Sequence, residues 1–134
     1  MSKMVNNEYA YVHDNTILSY NVDVYNMKLE MKTAYYDEEQ TDITFTNLIG
    51  HRFENVTYSN IINSIKEISI DDFINQNKEM LENGFRYAFP ICASDCEELR
   101  AHLHENKQRI FIISAVLGLC GFVIAKDISI DVKK

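Results

Sequence analysis

The sequence predicts an α+β protein: a mostly antiparallel, strongly curled sheet with two helices on one side and a C-terminal β-hairpin. Three observations carry this. Two runs of apolar–polar alternation lie in the first quarter of the chain. Two helical patterns lie between residues 70 and 105. A run without charge, Ile110 to Ala125, follows them and is interrupted by Gly118 and Gly121. A chain of 134 residues fits one domain spanning 1–134, and a domain of that size buries roughly two-thirds of its unfolded surface without a disulfide or metal.

The elements follow in order. In "ILSYNVDVYNMKLEMKTAYY", Leu18, Tyr20, Val22 and Val24 alternate with polar residues, and so do Met27, Leu29 and Met31. Period two, twice, with a break at Tyr25-Asn26, predicts a β-hairpin with one wet face. Asn tolerates the left-handed backbone that a tight turn demands. The next stretch, "YYDEEQTD", holds Asp37, Glu38, Glu39 and Asp42 with no apolar residue among them, which predicts an exposed loop. "ITFTNLI" restores a strand pattern with Ile43, Phe45 and Leu48 inward. "HRFENV" fits a further strand or an irregular crossing, and residues 60–68 fit a strand.

The helices come next. "SIDDFINQNKEMLENGF" places Ile70, Phe73, Ile74, Met80, Leu81 and Phe85 near helical spacing, with Asp71 at the N-cap position and Gly84 at the stop. "SDCEELRAHLHEN" carries Ser94-x-x-Glu97, the capping-box spacing, with Cys96, Leu99 and Leu103 facing the core. Pro90 forbids helix between the two. The segments "KEISID" and "KDISID", at 66–71 and 126–131, are expected to be two strand ends of similar chemistry.

The uncharged run raises the question of a membrane. A helix of that length is only about 24 Å long, and a bilayer core needs ~30 Å. Its glycines and its Ile- and Val-rich ends favour a buried hairpin, "RIFIIS" and "GFVIAK", with "ISIDV" as a closing strand. No membrane association is expected. The N-terminus lacks an apolar stretch of signal-peptide length, and three cysteines are an odd number, so reduced thiols and a cytoplasmic location are expected.

The chemistry classes narrow in the same way. The formal net charge is −7, and residues 1–98 hold 17 acidic and 7 basic side chains, which repels nucleic-acid phosphates and steers a basic protein partner. Exposed carboxylates keep ordinary pKa values, whereas general-acid chemistry needs one raised by burial. His102 and His104 sit two apart on a helix and point about 200° from each other, so they share no metal. Cys96 near a helix N-terminus is the one thiol the dipole favours, but its spacing makes it a core residue. No phosphate loop or nucleophile elbow is present. No catalysis, cofactor or metal is expected. What remains is recognition. Tyr35 and Tyr36 abut Asp37, Glu38, Glu39 and Asp42, a combination that suits a Lys- or Arg-rich surface. Neighbours on a strand point oppositely, so one tyrosine is expected to finish the core face and the other to be exposed.

With "ITFTNLIGHRFENV" and "FIISAVLGLCGFVIAK" read together, the chain resembles a group of small uncharacterised bacterial proteins, some of them like immunity proteins encoded beside polymorphic or contact-dependent toxins. The residues that carry the resemblance are His51, Phe53, Glu54 and Asn55, then Ser114, Gly118, Leu119, Gly121 and Phe122. It implies a non-catalytic protein that binds and neutralises a basic, nuclease-type toxin domain. The alternative is a small cytosolic homodimeric module that pairs through sheet edges or the Tyr-rich hairpin.

Overall fold

The computed structural model describes residues 4–5, 8–9, 12–36 and 38–133. Ten strands and three helices follow in the order β1 (Met4–Val5), β2 (Glu8–Tyr9), β3 (Thr16–Asp23), β4 (Lys28–Tyr35), β5 (Glu39–Thr46), β6 (Gly50–Glu54), β7 (Ile61–Ile68), α1 (Ile70–Gln76), α2 (Lys78–Gly84), α3 (Cys96–Glu105), β8 (Arg109–Leu117), β9 (Cys120–Ala125) and β10 (Asp127–Lys133). The class is α+β, and every strand pairing is antiparallel.

The main sheet runs β10-β5-β4-β3-β7-β8-β9-β6, with β2 joined to β7 and β1 to β2. Its two ends are tied to its inner members. β10 follows β9 after Lys126 alone, and β6 follows β5 after residues 47–49. β5–β6 is thus one bent arm and β9–β10 another, and the two arms pair on both sides of the bend, Ile43 with Ile130 and Gly50 with Ile124. At the corner the Lys126 amide donates to the Thr46 carbonyl (3.1 Å) and the Ile49 amide to that of Ile124 (2.9 Å). The sheet is therefore rolled on itself, the strong curl that the sequence predicts.

The roll encloses Leu29, Met31, Ile43, Phe45, Ile62, Ile65, Phe111, Ile113 and Val123, all essentially without solvent contact. The Phe45 and Phe111 rings meet with centroids 5.4 Å apart. Three polar side chains are buried beside this core in one relay. The Asn15 amide donates to the Thr33 hydroxyl (3.0 Å), which donates to the Thr41 carbonyl (2.7 Å). Satisfied in this way, they avoid the cost of an unpaired buried dipole.

A second apolar cluster lies outside the roll. Phe73, Ile74, Leu81, Leu99 and Leu103 of the three helices pack on Ile110, Phe122 and Ile124. Along β8 and β9, Phe111, Ile113, Val123 and Ala125 face inward, while Ile110, Ile112, Phe122 and Ile124 face the helices. Strands covered on both faces read as continuous apolar runs rather than alternating ones. That is the origin of the uncharged stretch. Among the described residues no helix is long and apolar enough to cross a membrane.

Local details shift from the expected positions. The first helical stretch divides at Asn77, giving three helices rather than two. Its N-cap is Ser69, whose hydroxyl accepts the Asp72 amide (3.0 Å), and not Asp71. For α3 the cap is Asp95, which accepts the Glu98 amide (2.9 Å), and Ser94 instead donates to the Glu98 carboxylate (2.6 Å). In β3 a register shift between Ile17 and Ser19 turns Ile17 inward and leaves Leu18 exposed. Val24 lies in the turn and is exposed, not inward.

Candidate functional site

The β4–β5 turn gathers four of the six residues singled out from the sequence. β4 ends at Tyr35, and the chain reverses through Tyr36, whose φ of 50° is left-handed. The Glu38 amide closes the turn on the Tyr35 carbonyl at 3.0 Å. The two tyrosine rings meet edge to edge-face at 4.5 Å. Both are exposed, Tyr35 by 43% and Tyr36 by 75%, so neither finishes the core. Ala34 and Thr33 fill that side instead. Glu38 and Glu39 are exposed, and no cation pairs with either among the described residues. Asp37 lies outside the described residues.

Asp42 does not join them. The expected acidic loop stops at the turn because β5 already begins at Glu39. Thr41 and its neighbours pair with β4 on one side and β10 on the other, and a central strand leaves no room for a loop. The Asp42 carboxylate accepts from Gln40 Nε2 (3.0 Å) and pairs with Lys133 Nζ (2.9 Å). These two contacts, the Gln40 bond first, hold its carboxyl below the usual carboxylate range. Its charge is spent within the molecule.

A second concave region escaped the sequence reading. Two adjoining hollows of about 570 and 620 Å³ share Arg52, Gln76, Asn77 and Met80. They form a trough between the α1–α2 junction and the outer face of β6, β9 and β8. The trough exists because α1 ends at Asn77, whose side-chain amide donates to the Phe73 carbonyl (2.9 Å), and α2 restarts in a new direction. Nothing in "FINQNKEML" announces that break. The two segments that carry the resemblance, 67 residues apart at Glu54 and Gly121, meet here. β6 pairs with β9 so that Phe53 faces Gly121 and Glu54 faces Cys120.

Other reactive side chains are dispersed. Among the described residues no three metal-ligating groups converge. Burial, with Glu82 nearby, pushes the Cys96 thiol up, so desolvation outweighs the helix dipole. His51 is half-buried against Phe53 (ring centroids 5.1 Å), and burial lowers its pKa. The unfolded chain then takes up the proton first, at about pH 6.5. Stability attributable to His51 is full above that pH and falls as the pH drops toward the lower folded-state value. Urea midpoints at pH 7.5 and 5.5 should differ less for His51→Gln than for the parent, once the general acid effect is subtracted.

Against this geometry, comparisons with protein-family models, curated proteins and solved structures find no match.

Proposed function

We propose that this protein is a non-catalytic binder that captures a basic protein domain, in the manner of an immunity protein neutralising a toxin in the cytoplasm. The observation that carries the reading is the β4–β5 turn. Two exposed tyrosines in mutual contact stand beside Glu38 and Glu39, two exposed carboxylates that no cation of the chain neutralises. Aromatic anchors held by a hairpin lose little side-chain freedom on binding, and unneutralised carboxylates accelerate encounter with a basic surface. Asp42, already paired with Lys133, has a structural part in this reading and no direct contact with the partner.

The test is co-purification at low salt with the product of an adjoining gene, followed by measured association and dissociation rates. Glu38→Lys with Glu39→Lys is expected to slow association about tenfold and to flatten its salt dependence. Tyr36→Ala is expected to speed dissociation. Binding that is indifferent to all three changes places the interface elsewhere.

A further inference from the structure

We infer that the trough between the α1–α2 junction and the outer face of β6, β9 and β8 receives an extended segment of a protein partner carrying a Lys or Arg side chain. The inference rests on the reading of a basic partner given above and assigns it a second contact. The floor of the trough is apolar, built from Ile112, Phe122 and Met80, and its opposite walls carry Glu54 and Glu79. A hydrocarbon floor between carboxylates suits a long side chain that lays its methylenes on apolar surface and ends in a cation. The one cation of the trough, Arg52, is engaged with Glu54 at 3.6 Å. Glu79 has no ion-pair partner among the described residues, so one wall remains unneutralised. Crossing from β6 to β8 covers two strand spacings, about 10 Å, which is the reach of roughly three extended residues. The site therefore takes one basic side chain with its immediate neighbours, not a folded element.

The probe is the tetrapeptide Ac-Val-Arg-Val-Lys-NH2, titrated into the full chain labelled with nitrogen-15, with Ac-Val-Glu-Val-Glu-NH2 as its counterpart. The basic peptide is expected to shift the amides of Ile112, Ser114, Cys120 and Phe122, and the acidic one to leave them in place. Glu79→Gln, an exposed helix position whose change spares the fold, is expected to weaken binding about fivefold. Glu38→Lys with Glu39→Lys is expected to leave peptide binding unchanged. The inference is overturned if the basic peptide moves none of the four amides, if the acidic peptide moves them equally, or if Glu79→Gln binds as tightly as the parent. Because partner capture is read at the turn and peptide binding at the trough, failure of one is visible without failure of the other.

Discussion

Phe111→Ala is expected to lower the unfolding free energy by roughly 4 kcal/mol, the largest effect of any single truncation considered for this chain. The ring is fully buried inside the roll and packs on Phe45. It sits on β8, between β7 and β9, where Phe111 pairs with Glu67 on one side and Val123 on the other. Backbone bonds on both sides keep the strand from moving inward, so the vacated space stays largely open, and the cavity adds to the lost transfer energy. Ile112, its neighbour on the same strand, is only partly buried under the helices, and Ile112→Val is expected to cost about 1 kcal/mol. Urea denaturation of both variants checks the contrast. Equal costs would mean that the inner and outer layers are packed alike.

Gly121→Ala is expected to cost roughly 3 kcal/mol and to lower the melting temperature by about 10 °C. Two causes coincide. The residue has φ +151°, a conformation side chains rarely adopt, and an added Cβ would lie 1.8 Å from the Arg52 carbonyl oxygen. That oxygen belongs to β6, the strand paired with β9, so relief requires the two strands to part. Glycine in a strand often marks such a close approach of backbones. The same displacement would widen the trough, so this variant should bind the basic tetrapeptide less well in proportion to its distortion. Circular dichroism melts supply the stability measurement. A melting temperature within two degrees of the parent, on the scale of about 3–5 °C per kcal/mol for a domain of this size, would contradict the close approach.

The fold was readable where one physical cause acted alone. Alternation at 28–31 required only a sheet with one buried face, and Leu29 and Met31 are buried while Lys28 and Glu30 are half-exposed. Ile110–Ala125 carried no alternation because both faces of its strands are covered, yet its length and glycines still excluded a span. Legibility failed where tertiary context decides. The tetrapeptide Ile-Ser-Ile-Asp occurs at 68–71 and at 128–131. At the first site Ser69 caps α1, and at the second Ser129 lies within β10 opposite Thr44. Local propensity is identical, so only the neighbouring strand β5 distinguishes the two. The candidate site divides in the same way. Tyr35, Tyr36, Glu38 and Glu39 adjoin in sequence and in space. The trough joins residues near 52, 77, 80, 112 and 122 that only the rolled sheet brings together.

The hairpin with apolar side chains on both faces also shapes what happens before the native state is reached. In an unfolded chain Ile110–Ala125 offers β-branched and aromatic residues without a single charge, the composition that self-associates into intermolecular sheets. Its native protection comes from partners distant in sequence, with Phe45 on one side and Phe73 on the other. Refolding yield should therefore fall steeply with protein concentration, and chaperone demand in a cell should track this one segment rather than the acidic remainder.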